Sequence, residues 1–403
     1  MELEKTLLRK VGEAIHRFRM IRDGDRVAVA LSGGKDSATL LEALLLLAQR
    51  APIEFSVCAF TVEQGKFLRP IEPLGEYLRQ RGVAWTYYRD APSLQLLEDQ
   101  PEHGCDLCSR YRRRAVYQIA RELGANVIAL GHTADDFCES LLRNTLFTGR
   151  LSALPAVTWS RERDFRLIRP LVFVTEDVTR AYAESLGVPL IPCGCSQRTG
   201  TVRRSLRDLF ASLEKEYPHL KENILSAMGN IDTGRLLDDQ PEHGCDLCSR
   251  YRRRAVYEVA HGLKANVIAF GHTADDFCES LLRNTMFTGR LSALPPVTWS
   301  RERDFRLIRP LVFVTEDVTR AYAESRGVPV VPCGCSQRTG TVRRSLRDLF
   351  AGLEQEYPHL KENILAAMGN IDTGRLLDTR FLKLEAAGEE DEDTELFPIV
   401  TES

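Results

Sequence analysis

Leu3, Leu7, Leu8, Val11, Ile15 and Phe18 recur every three or four residues between charged positions, a spacing that predicts an amphipathic helix at the start of the chain. The pattern then changes. RVAVAL (26–31) is a short unbroken apolar run rich in β-formers, as a buried parallel strand requires. ATLLEALLLLAQ (38–49) predicts a helix. EFSVCAFTV (54–62) and VAWTYYRD (83–90) predict strands with a helix near 70–81 between them, and NVIAL (126–130) predicts another strand with a helix behind it. Strands alternating with helices imply an α/β fold: a Rossmann-like parallel sheet with helices on both faces and ligands at the carboxyl ends of its strands.

The composition adds three constraints. A net charge of −3 over 403 residues announces no nucleic-acid binder, so any basic surface must be local. No apolar run approaches the ~20 residues that span a bilayer, and the N-terminal segment is too charged for a signal peptide. A cytoplasmic protein without a membrane partner is therefore expected. Eleven cysteines in such a chain, several at C-x-x-C spacing, point to metal or redox chemistry rather than to a disulfide scaffold.

The chain also repeats itself. Residues 98–237 and 238–377 align without gaps at an offset of 140, with 15 differences. That period is far longer than the ~20–50 residues of a solenoid unit. The expected organisation is a domain over 1–238, a duplicated partial α/β unit over 239–377 that repeats 99–237, and a tail over 378–403. The tail includes EAAGEEDEDTE (385–395), too acidic and too poor in apolar residues to fold.

SGGKDS (32–37) lies between the first strand and its helix. Gly33 and Gly34 let backbone N–H groups approach a ligand, the helix N-terminus favours an anion, and Ser32 and Ser37 add hydroxyl donors. Asp36 could cap the helix or hold Mg2+. The motif is neither G-x-x-x-x-G-K-[ST] nor G-x-G-x-x-G. It resembles the PP-loop of the ATP pyrophosphatase superfamily, which implies ATP cleaved between its α and β phosphates. GHTADD (131–136) should lie on the same sheet edge and offers His132 to a phosphate and Asp135 and Asp136 to Mg2+. The plainer reading is a capping box with Thr133 at the N-cap, and both can hold.

Cys105 and Cys108 precede a helix, SRYRRRAVYQIARELG, and PCGCSQRTG brings Cys193 and Cys195. Four thiolates would suit structural zinc, and three with an open position would suit a [4Fe–4S] cluster. Cys58 and Cys138 read as small apolar core residues. Arg110, Arg112, Arg113 and Arg114 can neutralise phosphates and Tyr111 can stack on a base; Arg203, Arg204 and Arg207 form a second basic run. Alone, both runs read rather as solvated helix faces.

Taken together, SGGKDS, CDLCSR with its arginines, IALGHTADD, IRPL, IPC and SQ resemble the tRNA 2-thiocytidine synthetase family over residues 1–238. The resemblance implies ATP and Mg2+ bound at Ser32, Gly33, Gly34, Lys35, Asp36, Ser37 and His132, with Asp36, Asp135 and Asp136 catalytic. It implies a [4Fe–4S] cluster on Cys105, Cys108 and Cys193, with Cys195 the alternative because CGC stands here where the family has C-x-x-C. The implied reaction adenylates O2 of an anticodon-loop cytidine, after which sulfur from a cysteine desulfurase or from sulfide displaces AMP. A PP-loop ligase with structural zinc, and a tRNA-binding protein inactivated by its duplication, remain open, as does a homodimer.

The second copy repeats Cys245, Cys248, Cys333 and Cys335 together with His272, Asp275 and Asp276, but not SGGKDS or the first three strands. One ATP per chain is expected. The copies compete for one N-terminal half. Gly124 suits the left-handed helix cap where copy two has Lys264, Gly262 weakens the second helix, Leu186 becomes Arg326 and Leu130 becomes Phe270. These differences favour docking of 98–237.

Overall fold

The computed structural model describes residues 2–99, 105–192, 201–232, 247–300, 303–329 and 341–381. Cys193, Cys195, Cys245, Cys333, Cys335 and the acidic stretch 385–395 lie outside them. So do the side chains of Cys105, Cys108, Cys248, Arg203 and Arg204. The chain forms two compact units, one of residues 1–140, 153–212 and 374–403, the other of 141–152 and 213–373.

The first unit opens with α1 (Glu2–Arg17), whose Leu7, Leu8, Val11 and Ala14 are buried as the periodicity requires. Then come β1 (Arg26–Ala30), α2 (Lys35–Ala48), β2 (Ser56–Glu63), α3 (Glu72–Gln80), β3 (Trp85–Arg89), α4 (Ala91–Asp99), α5 (Cys105–Glu122), β4 (Val127–Ala129) and α6 (Ala134–Phe147). β5 (Val157–Trp159), β6 (Arg166–Ile168), α7 (Glu176–Leu186) and α8 (Thr201–Glu216) complete it. The strands form one sheet in the order β3-β2-β1-β4-β6-β5, parallel except for β5, which runs antiparallel to β6 at the edge. The α/β expectation holds. The antiparallel edge strand was not foreseen, because three residues are too short to show a period.

Alternation along the strands sorts the core. Ala28, Cys58, Phe60, Ile128 and Leu167 pack with Val116, Ile119 and Ala120 of α5. Val27, Val29, Ala59, Val127 and Ala129, pointing the other way, are fully buried, and α2, packed on β1 and β2, joins α1 and α7 there. β1 takes the first copy as its partner, with Val27, Ala28 and Val29 opposite Val127, Ile128 and Ala129. A buried ion pair joins the N-terminal half to that copy. The Arg166 guanidinium donates to Asp25 and, at 3.0 Å, to the Met20 carbonyl, while Asn126 Nδ2 donates to Asp25 at 2.8 Å. Burial lowers the Arg166 pKa, although Asp25 opposes the shift.

The second unit begins in sequence with the end of α6, then α9 (Leu220–Met228), α10 (Leu247–Gly262), β7 (Val267–Ala269), α11 (Ala274–Arg283) and a π-helical turn at Asn284–Thr288. β8 (Val297–Trp299), β9 (Arg306–Ile308), α12 (Glu316–Ser325), α13 (Thr341–Glu356) and α14 (Leu360–Met368) follow. Its sheet has the order β7-β9-β8, and among the described residues β7 pairs only with β9. Val267 is 42% exposed where Val127 is 0%, and Tyr322 is 62% exposed where Tyr182 is 3%, so the face that the first copy buries is bare in the second. Gly124 has φ +63° and Lys264 φ +54°, so a lysine does occupy the left-handed cap. Leu186, expected to be buried, is only half-buried, because it ends α7.

Candidate active site at the carboxyl edge of the sheet

The loop after β1 is built from its own hydroxyls. Ser37 Oγ donates to the Gly34 carbonyl at 3.0 Å and accepts from Ser32 N at 3.1 Å. Gly33 has φ +80°, and a Cβ there would lie 2.9 Å from that of Ile191. Gly34 N-caps α2 in extended conformation without a side-chain cap, so the first turn of α2 presents its N–H groups to a ligand. Gly131, just past β4, lies against that turn: a Cβ there would meet Ser37 N and Cα at 2.9 Å. SGGKDS and GHTADD thus meet at the carboxyl ends of adjacent strands, as the alternation implied.

Charges lock the loop to α7. Lys35 Nζ donates to Asp36 at 2.9 Å and to Glu176 at 3.0 Å, and the Thr179 hydroxyl donates to Asp36. Burial works to lower the Lys35 pKa, but the two carboxylates outweigh it and raise the value above that of an ordinary lysine. Asp135 accepts from Glu176 N at 2.8 Å and so caps α7; Asp136 accepts from Thr133 N at 2.9 Å and so caps α6. The capping reading of GHTADD is therefore present in the structure, and it fixes both carboxylates at the edge where the phosphate loop lies. His132, between β4 and α6 in the chain, is half-buried.

Sequence reasoning missed Glu176, Thr179 and Arg169. Arg169 stands in the IRPL stretch, directly after β6, and is 0% exposed. Its Nη1 donates to the Pro155 carbonyl at 2.6 Å, while Nε and Nη2 have no hydrogen-bond partner. Burial drives its pKa down to about 10, and Arg375 adds to that while Asp136 works against it. Its signal was the IRPL match itself. Glu176 and Thr179 had none, since only the fold brings them to a loop 140 residues earlier.

Cys105 and Cys108, expected ahead of a helix, lie in the backbone of the first turn of α5, three residues apart. Along the same helix Arg110 and Arg114 are exposed, and Tyr111, Arg112 and Arg113 are half-buried. The segment leading to Cys193 is anchored at the phosphate loop: Ile191 N donates to the Gly33 carbonyl at 2.8 Å, and Leu68 N to the Pro192 carbonyl at 3.0 Å. Cys58, Cys138 and Cys278 are buried, the first and last with burial-raised pKa values. The described residues hold no cluster of metal-ligating side chains and no helix long and apolar enough to cross a membrane.

The PP-loop domain family matches residues 3–210. The tRNA-cytidine(32) 2-sulfurtransferase of Anaeromyxobacter dehalogenans is 39% identical over 239 residues, 59% of this chain and 82% of that protein. The protein of the same name from Sorangium cellulosum is 39% identical over 241 residues, 59% of this chain and 85% of that protein. Among solved structures, the U34-tRNA thiolase NcsA from Methanococcus maripaludis with its [4Fe–4S] cluster is 21% identical and covers 55% of this chain and 76% of that one, with a TM-score of 0.44.

Proposed function

Since the chain belongs to the PP-loop family of tRNA-cytidine(32) 2-sulfurtransferases, we propose that it thiolates tRNA in an ATP-dependent reaction at the site on residues 32–37 and 131–136. The observation that carries the reading is the uncapped first turn of α2, held against Gly131 and locked by Lys35, Asp36, Glu176 and Thr179. The substrate is cytidine 32, and cytosine O2 is a poor leaving group. Its attack on the α-phosphorus forms an O–P bond and releases pyrophosphate. Sulfur then bonds to C2, and AMP departs with the oxygen.

This chain's residues serve that sequence in separable ways. N–H groups of Lys35, Asp36 and Ser37 and the Ser32 and Ser37 hydroxyls hold phosphate oxygens where negative charge develops. Asp36, Asp135 and Asp136 supply the carboxylates for Mg2+ beside the phosphates. Arg110, Arg112, Arg113 and Arg114 contact tRNA phosphates. Such a substrate places the work in the cytoplasm. Cys105 and Cys108, one turn apart, and Cys193 or Cys195, two or four residues beyond the anchored Ile191, suit a [4Fe–4S] cluster; when bound, the cluster would supply an iron with an open position for sulfur. The sulfur donor is a cysteine desulfurase or sulfide.

The test is thiolation of transcript tRNA by anaerobically reconstituted protein with ATP, Mg2+ and sulfide, read as 2-thiocytidine by mass spectrometry. Cys105→Ser with Cys108→Ser should abolish the product and the visible absorption near roughly 400 nm expected of a cysteine-bound cluster. Cys245→Ser with Cys248→Ser should leave most of both. A colourless protein carrying zinc, or no thiolated tRNA, refutes the reading.

A further inference from the structure

Within the second unit, residues from one copy meet residues from the other, and among the described residues the following contacts each occur twice. Phe147 and Tyr357 pack edge to face with ring centroids 4.7 Å apart; 140 positions away in each partner, Phe287 and Tyr217 do the same at 4.7 Å. Leu151 forms a parallel bridge with Ile371, and Leu291 with Ile231. Leu151 N donates to the Asn370 carbonyl at 3.0 Å, and Leu291 N to that of Asn230 at 3.2 Å. Asp372 N donates to the Leu151 carbonyl, and Asp232 N to that of Leu291, both at 3.2 Å. Gly149 and Gly289 sit at φ +63° and +65°. A Cβ on the first would come within 3.1 Å of Ala366, and one on the second within 3.0 Å of Ser226.

A surface on which residue i meets residue j′ while i′ meets j is isologous, the signature of twofold self-association. Two tandem copies folding side by side need not show it; a contact between different patches would serve as well. The contacts are also interior in character, with Leu151, Leu291, Met228 and Met368 at most 1% exposed and Ile231 at 3%. We infer that residues 147–151 and 217–232 form a homodimerisation surface of the repeated module, and that the second copy occupies it in cis. The partner the surface fits is another copy of the same module, and in this chain that partner is covalently attached. The repeat thereby gains a role that needs no second phosphate loop. Its retained residues 284–292 and 357–373 complete a twofold interface, while its bare β7 face serves no catalysis.

The test uses the full chain. Light scattering of the unmodified protein should give the monomer mass of 45.5 kDa. Leu151→Cys with Ile371→Cys, and separately Ile231→Cys with Leu291→Cys, should each crosslink on oxidation within one chain, because bridge partners hold Cα atoms at disulfide distance. Peptide mapping would locate the crosslink, and the product should migrate as a monomer on non-reducing gels. A dimer mass for the unmodified chain, or crosslinks between chains, overturns occupation in cis. Absence of crosslinks at both mirrored pairs overturns the interface itself.

Discussion

Asp25→Ala removes the acceptor at the centre of the junction between the N-terminal half and the first copy. Arg166 is 5% exposed and would keep only the Met20 carbonyl as its acceptor, with its guanidinium 5.7 Å from the Trp159 ring centroid. Asn126 Nδ2 and Arg22 N lose their acceptor as well. Truncating one partner of a buried pair strands a charge and costs about 3–5 kcal/mol. For a unit of this size each kcal/mol moves the midpoint by about 2–4 °C, so a fall of roughly 6–20 °C is expected by calorimetry or circular dichroism. Adding Arg166→Met removes the stranded cation and should recover most of the loss, since replacing both members of a buried pair by apolar groups is often neutral. A midpoint that moves by less than about 2 °C in Asp25→Ala would refute the reasoning, because it would mean that Arg166 finds water or another acceptor at little cost. So would a double variant less stable than the single one.

Gly131→Ala should displace the first turn of α2 and weaken ATP binding by calorimetric titration, at an overpacking cost of about 1–3 kcal/mol. Gly271→Ala, where a Cβ meets nothing within 4 Å, should change neither binding nor melting. Titration with ATP should return one site per chain, and two equivalent sites would show that the second copy binds without a phosphate loop. Lys264→Gly should raise the melting free energy of the second unit by about 1 kcal/mol, since it relieves a lysine at φ +54°. Arg169→Met should leave the midpoint unchanged or raised by calorimetry, because it removes an incompletely bonded buried cation.

How much of this was legible depended on the length of the signal. β1, the glycine loop and α2 were readable because an apolar run, a special-φ motif and a helical period abut one another. The Gly124 and Lys264 difference was readable because left-handed caps have a residue preference, and both φ values bear it out. β5 and β6, three residues each, carry no period. The Asp25–Arg166 pair spans 141 positions, and Lys35–Glu176 likewise 141, so only the folded sheet could reveal either. The helix that carries Cys105 and Cys108 begins four residues before the serine-led start of the basic run at Ser109, with no proline or glycine inside it to stop it.

The mirrored contacts also set a timetable during synthesis. Phe147 and Tyr357 are 210 residues apart. At ~5–20 residues per second, the surface around residues 147–151 leaves the ribosome roughly 10–40 s before its own tether delivers residues 357–371. On a crowded polysome, a finished neighbour could offer the same segment sooner. The partnership within one chain is thus a race that tethering wins only when translation is quick or ribosomes are sparse. Slow codons between the copies, or dense loading of the message, should shift freshly made protein from monomers towards interlinked chains without altering a single residue.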